Sequence, residues 1–563
     1  MRILLLCHSF NSLSQRLHVE LREAGHVVSV ELDIHDDLTR EAVALFSPDV
    51  IVAPFLKQAI PEDIWSRVLC LIVHPGIRGD KGPNALDWAI LEDEPVWGVT
   101  LVEAREAMDA GPVWAFREFP MREARKSDLY REEVTDAATA CVLETIGRIA
   151  AGNRTPLAEA NDGEGCLRPS VPRERRALDP STMTVVQALR IVHASDGDPG
   201  AMIEIAGRTF RAYDVRPAEG CSGPAGTIVA RSGGAVAIAF ADGALWLGHL
   251  REPRAQQLKL PAAMLLADHL AGVPELAARS RTSYREEDGV GFLSFSFHNG
   301  AMSSEDCEEL RQAFLVATAR PTRVLVLQGG FEAWSNGIHL SLIENAESPA
   351  DESWRNINAM NDLVEAIIRT DDRLVIAAVL GNAGAGGVFL SLAADEVWMR
   401  DGVILNPHYK DMGNLYGSEY WTYLLPARVG ETRARVITQA RLPMGVSEAE
   451  SLGLCSCRLP RARAEALEAL GTAAKALATA PDLDDRIAAK RARLAADEAR
   501  KPLSAYRAEE LARMRRNFYG FDPSYHVARF NFIRKIAKSR TPATLAVHRA
   551  GDGGRQGGAG CRP

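Results

Sequence analysis

Short apolar runs alternate with amphipathic segments across roughly the first 115 residues, and that alternation leaves few folds open. Ile3–Cys7, Val27–Leu32, Val50–Phe55 and Leu69–Val73 read as buried strands. Gln15–Glu23, closed by Gly25, and Arg40–Phe46 read as helices between them. A βαβα order predicts a parallel sheet with helices packed on its faces. No GxGxxG follows the first strand, which argues against a dinucleotide site. The opening run, Met1 to His8, is apolar like the core of a secretory signal. It is too short, and no small-residue cleavage site follows, so it reads as the first strand.

With 563 residues the chain exceeds what one core can organise, and about two to four domains are expected. A polar stretch from Asn161 to Pro180 reads as a linker after a first domain spanning 1–165. Thr209–Tyr213, Ala225–Arg231, Ala235–Phe240 and Leu245–Gly248 are then short strands joined by Ser232-Gly233-Gly234 and Asp242-Gly243 turns, predicting a small β-rich domain over 175–275. A third domain, 285–540, carries the strand-like runs Arg323–Gln328 and Leu374–Val379, each followed by a glycine-bearing turn and a helix-compatible segment. The Ala-, Arg- and Glu-rich stretch Asp482–Asn517 reads as a solvated or oligomer-facing helix pair. Residues 541–563, ending in a Gly/Arg-rich run, are expected to be a disordered tail. The fold class is α/β multidomain.

A formal charge of −9 and a pI near 5.9 argue against a nucleic-acid binder. No apolar run approaches the roughly 20 residues that span a bilayer. Nine cysteines contain no CxxC pair, and an odd number does not suit a disulfide framework. Cys455 and Cys457 are the only close pair, and no other ligands lie near them in sequence, so no metal site is expected. Reduced thiols in a cytoplasmic protein are the preferred reading.

Two segments carry chemistry. The first runs from Val73-His74-Pro75-Gly76-Ile77-Arg78-Gly79-Asp80-Lys81-Gly82-Pro83 to Trp97-Gly98-Val99-Thr100 and Met108-Asp109-Ala110-Gly111. A histidine at the C-terminal edge of a sheet sits where α/β proteins bind ligands. Paired with a carboxylate, it can relay a proton to a leaving amine and steady a tetrahedral oxyanion. This segment resembles the 10-formyltetrahydrofolate-dependent formyltransferases, whose motifs read N-x-H-P-S-L-L-P…R-G…P and G-V-T…D-x-G. The resemblance covers residues 1 to about 160; the hairpin-rich unit resembles the C-terminal barrel that accompanies many of these enzymes. It implies His74 and Asp109 as catalytic residues and 10-formyltetrahydrofolate as formyl donor. It places a loosely matching folate cradle at Phe55, Lys57 and Arg78. The family's asparagine two residues before the histidine is Ile72 here, and the loop after His74 is several residues shorter.

The second segment contains Trp334-Ser335-Asn336-Gly337-Ile338-His339 and, about 50 residues on, Gly381-Asn382-Ala383-Gly384-Ala385-Gly386-Gly387-Val388-Phe389. Glycine-rich turns before helices expose backbone N–H groups, and two such donors can converge on a thioester oxygen. This arrangement resembles the crotonase (enoyl-CoA hydratase/isomerase) superfamily over residues 290 to about 460. The resemblance implies a ββα spiral with C-terminal helices and backbone oxyanion donors at Asn336 and Gly386. It also implies coenzyme A contacts at Ala301, Asn336, Gly337 and Gly386. The glutamate that hydratases carry three residues after the second donor is Phe389, so ordinary hydration is not expected. Glu419, set among Tyr416, Tyr420 and Trp421, should have a raised pKa and serve as acid or base, and Tyr409 is a second candidate that could hydrogen-bond or shuttle a proton. His408 is a weaker candidate.

A formyltransferase joined to a crotonase that lacks the hydratase carboxylates resembles the HypX/HoxX hydrogenase maturation factors. That resemblance rests on His74 to Pro83, Asn406-Pro407-His408-Tyr409-Lys410 and Gly417-Ser418-Glu419-Tyr420-Trp421. It implies formyl transfer from 10-formyltetrahydrofolate to coenzyme A, then loss of CO from formyl-CoA, with the [NiFe]-hydrogenase maturation proteins or large subunit as partners. A formyl-CoA hydrolase or formylfolate deformylase, and a non-enzymatic folate- and CoA-binding scaffold, remain as alternatives.

Overall fold

The four apolar runs of the N-terminal region pair as parallel strands, in the order Val27–Leu32, Arg2–Cys7, Val50–Phe55, Cys70–His74. Helix Ser12–Glu23 starts at Asn11, whose side chain accepts the Ser14 N–H. Helix Asp36–Phe46 starts at His35, whose ring accepts the Asp37 N–H. The sheet is not parallel throughout. Val96–Glu103 and Val113–Pro120 extend it antiparallel, because the connection between them is a short reversal rather than a crossover. That connection folds back to bring Asp109 beside His74.

The computed structural model describes residues 1–254, 256–276 and 281–549. They form two compact units, one of residues 1–276 with 537–549 and one of residues 281–536. In the first unit the hairpin region is an antiparallel sheet ordered Ala201–Ile205, Arg208–Pro217, Gly243–Arg251, Ala235–Phe240, Ile228–Ser232, with Leu260–Pro261 beside Gly243–Arg251. Helix Val185–Ser195 closes its core through Ala188, Leu189 and Val192.

The segment expected to be a free tail from 541 is ordered as far as Arg549. It covers the open edge of the Val27–Leu32 strand: Val30 N–H donates to the Leu545 carbonyl (3.1 Å) and Leu32 N–H to Thr541 Oγ1 (2.8 Å). Beneath it, the fully buried Glu31 carboxylate meets Thr541 Oγ1 (2.8 Å), His548 Nε2 (3.1 Å) and Arg549 Nη1 (2.8 Å). The rest of the expected tail, 550–563, lies outside the described residues.

The second unit is built on a sheet ordered Thr282–Glu287, Val290–Phe295, Val324–Gln328, Leu374–Val379, Glu396–Arg400, Cys457–Leu459, parallel after its first pair. A two-stranded parallel ladder, Ala383–Gly384 with Leu405–Asn406, sits apart from it. Helices Ser304–Thr318, Pro349–Ile368 and Gly386–Leu392 pack a core that includes Phe295, Trp334, Val379, Phe389 and Tyr420. The C-terminal helix pair is not simply solvated. Leu503–Tyr519 buries Leu503, Glu510, Met514 and Phe518, because those residues share one face at helical spacing. No helix among the described residues is long and apolar enough to cross a membrane.

Candidate active sites

His74 ends its strand, which places its ring at the sheet edge beside three loops. Its Nε2 lies 2.8 Å from Asp80 Oδ2, and its Nδ1 lies 3.5 Å from Asp109 Oδ2. All three side chains are buried or nearly so. The tighter partner is therefore Asp80, a residue to which the sequence reading gave no role. Gly76, where the formyltransferase motif has serine, makes that contact possible. A Cβ there would lie 2.5 Å from both Asp80 Oδ2 and His74 Nε2. Thr100 Oγ1 donates to the Gly76 carbonyl (2.8 Å) and Trp97 Nε1 to the Pro75 carbonyl (2.9 Å), pinning the turn to the neighbouring strand. Asp109 has φ of 56°, a left-handed conformation that Asp tolerates, and accepts the Gly82 N–H (3.1 Å).

Asn161 joins this arrangement from the stretch read as a linker. It is fully buried; its Nδ2 donates to the carbonyls of Asp109 (2.9 Å) and Asp80 (3.2 Å), and its Oδ1 accepts the Gly79 N–H (2.8 Å). The stretch is thus a clamp on the His74 loop. With both N–H groups of the amide engaged, Asn161 does not replace the donor missing at Ile72, whose side chain packs among apolar neighbours. Of the expected folate residues, Phe55 packs edge-on to His8 and Tyr130, with Lys57 Nζ 6.0 Å from its ring centre. Arg78 is partly exposed. Its guanidinium lies 5.2 Å over Phe116 and donates to the Asp162 carbonyl (3.1 Å).

In the second unit, Gly386 begins a helix, and among the described residues its N–H has no acceptor. The preceding Ala385 holds φ 48° and ψ −125°, a strained backbone for a residue with a Cβ, of a kind that gathers at functional sites. Asn336 departs from expectation. Its N–H donates to the Gly300 carbonyl at 2.7 Å, because the left-handed Asn299 and Gly300 turn that carbonyl toward it. The Gly337 N–H is likewise held by Ser335 Oγ (3.1 Å). Gly337 still lines the spot: a Cβ on it would lie 3.3 Å from the Gly386 nitrogen. Ala301 follows the His298–Gly300 turn and is partly exposed.

Glu419 converges on the same point. Its Oε1 lies 2.3 Å from where a Gly386 Cβ would be, so only glycine fits there. Its Oε2 accepts from Tyr409 Oη (2.6 Å) and the Ser418 N–H (3.1 Å). The side chain is 1% exposed, and burial pushes its pKa up to about 7 against the lowering effect of the Tyr409 bond. Burial, with Glu419 alongside, raises Tyr409 well above the ordinary phenol range. Phe389 stacks on the Tyr409 ring at 5.4 Å, and Gly417 leaves room for that ring, since a Cβ there would lie 2.1 Å from it. His408 is mostly buried, and that burial lowers its pKa.

Three further polar groups were not singled out from sequence. Asn361 Oδ1 accepts the Glu419 N–H (2.8 Å), and its Nδ2 donates to Ser418 Oγ (2.9 Å). Ser418 Oγ in turn donates to Glu510 (3.2 Å). The signal for Glu510 was its place on the stripe formed by Leu503, Met514 and Phe518.

The fold is that of a formyltransferase-like unit and a crotonase-like unit in one chain. Residues 173–264 match the family model of the formyl transferase C-terminal domain, and residues 288–518 match that of enoyl-CoA hydratase/isomerase. A methionyl-tRNA formyltransferase from Lactobacillus gasseri is 27% identical over 188 residues, 32% of this chain and 59% of that protein. The hydrogenase maturation factor HoxX from Bradyrhizobium diazoefficiens is 56% identical over 98% of this chain and 97% of its own. A crystal structure of HypX from Aquifex aeolicus in complex with tetrahydrofolic acid matches with a TM-score of 0.95 and 45% identity, covering 98% of this chain and 99% of that one. The chain belongs to the HypX/HoxX family of hydrogenase maturation factors.

Proposed function

We propose that the chain makes carbon monoxide for the iron site of [NiFe]-hydrogenase in two steps. The first moves a formyl group from 10-formyltetrahydrofolate to the thiol of coenzyme A, and the second removes CO from formyl-CoA. The observation that carries this reading is the buried Glu419–Tyr409 pair set against the Gly386 N–H, with Phe389 stacked on Tyr409 where a hydratase glutamate would stand.

In the first step the C–N bond to folate breaks, a C–S bond forms, and one proton passes from sulfur to nitrogen. Asp80 accepts the His74 Nε2–H, leaving Nδ1 to take the thiol proton beside the Asp109 carboxylate and return it to the folate nitrogen. In the second step the formyl oxygen accepts the Gly386 N–H. Glu419 Oε1, the carboxylate oxygen turned toward Gly386, removes the formyl proton. The C–S bond breaks, CO departs, and the proton passes to the thiolate. A carboxyl with a pKa near 7 suits both halves of that transfer.

Carbon-13 formylfolate supplied with coenzyme A to the purified chain should yield labelled CO. Labelled formate without CO would make the chain a formyl-CoA hydrolase, and no turnover would make it a binding scaffold. Asp80→Asn keeps the shape of the His74 contact but removes its charge, and should slow formyl-CoA formation about 10–100-fold. Unchanged formation would remove Asp80 from the mechanism. Tyr409→Phe deletes a donor to the Glu419 carboxylate, which raises the Glu419 pKa above about 7. CO release from formyl-CoA should then need higher pH for its half-maximal rate; a profile that stays in place would count against Glu419 as the base.

A further inference from the structure

The geometry points to Glu510 as the positioning residue that fixes Glu419 against the Gly386 N–H. This rests on the CO-forming reading and deepens it. Glu510 is fully buried in helix Leu503–Tyr519, and four donors reach its carboxylate. Oε2 accepts from Ser418 Oγ (3.2 Å) and the Tyr420 N–H (3.0 Å). Oε1 accepts from the Thr422 N–H (2.9 Å) and Thr422 Oγ1 (2.6 Å). Every donor therefore comes from residues 418–422, the turn that carries Glu419.

That turn needs holding. Glu419 and Tyr420 have φ of 58° and 57°, two successive left-handed residues that both bear side chains. Such backbone persists only where the surroundings over-determine it. Four donors nearly fill the lone pairs of an ionised carboxylate, whereas a neutral amide accepts at one oxygen only and would point N–H groups at two donors. Glu510 accordingly serves best as the anion, and Glu419, with two donors on one oxygen, is the member of the pair that exchanges its proton. The negative charge of Glu510 is one cause of the raised Glu419 pKa. Burial brings Glu510 itself to about 7, so the two titrate as a linked pair. The other titratable groups facing them are Tyr409, Cys307 and Tyr416, the last beside Arg513; Arg507 is paired with Asp362 and Glu365.

Glu510→Gln removes the charge while keeping the volume. The pH of half-maximal CO release from formyl-CoA should fall by about one unit, opposite in sign to Tyr409→Phe, with formyl-CoA formation unchanged. A lower rate with the pH midpoint in place would reduce Glu510 to a structural residue and overturn the proposal. A second measurement does not depend on CO release. An infrared difference titration of the intact wild-type chain should show two buried carboxyls gaining protons near neutral pH, and Thr422→Val should displace one of them. If no buried carboxyl titrates there, the pairing is wrong whatever the chain makes. If the pair titrates and no CO forms, the pairing stands and the CO-forming reading fails.

Discussion

Glu419→Gln should cut CO release about 10³–10⁴-fold while formyl-CoA still forms at the wild-type rate. Glutamine has the shape of glutamate, and its amide oxygen can still accept from Tyr409 Oη and the Ser418 N–H, now 2.6 and 3.1 Å from Oε2. The turn at residues 418–422 keeps all four of its bonds to Glu510. What disappears is a group that accepts a proton near pH 7. A buried neutral amide also costs no more to desolvate than a carboxyl, so the thermal midpoint should not fall. The measurement follows two products of one labelled substrate: formyl-CoA by mass and CO by trapping. Equal loss of both would mean that the chemistry is not divided between the two units.

Ending the chain at Arg540 should unfold or aggregate the first unit, at a cost of about 3–5 kcal/mol from Glu31 alone. Glu31 is fully buried, and its three partners, Thr541, His548 and Arg549, all lie in the deleted segment. A carboxylate without them is a buried, uncompensated charge. The deletion also bares the Val27–Leu32 strand, whose Val30 and Leu32 N–H groups lose their acceptors. An open edge strand is a template for pairing with another chain. Denaturant unfolding and light scattering of the shortened chain test this. Glu31→Gln in the full chain should weaken it less, because an amide oxygen can still accept from Thr541. A truncated chain as stable and soluble as the parent would mean that the segment merely rests on the sheet.

The elements were legible where physics leaves a periodic trace. Val50–Phe55 stands in the structure with the bounds its apolar run indicates, since a strand buried on both faces is apolar throughout; Val27–Leu32 also keeps its bounds, although Ser29 and Glu31 interrupt its apolar residues. His74, Asp109 and Glu419 were legible through the residues around them. The polar scaffold was not. Asn161 lies in a polar, glycine-containing stretch, and nothing local distinguishes an asparagine that clamps two loops from one that faces water. Asp80 stood inside a recognised run, but its bond to His74 depends on the missing Cβ of Gly76. Asn336 shows the converse error. A glycine-flanked turn after a strand exposes an N–H, but the acceptor it finds, the Gly300 carbonyl, is set by a turn 36 residues earlier in the chain.

The strap over the Val27–Leu32 strand also sets a timetable. Leu32 and Thr541 are 509 residues apart, and translation runs at about 5–20 residues per second. The first sheet therefore leaves the ribosome about 25–100 seconds before the segment that completes its edge. Throughout that interval its strand edge is bare and Glu31 lacks every neutralising partner. A domain that would ordinarily fold first during synthesis is thus finished last, and the nascent chain needs shelter from its neighbours until then.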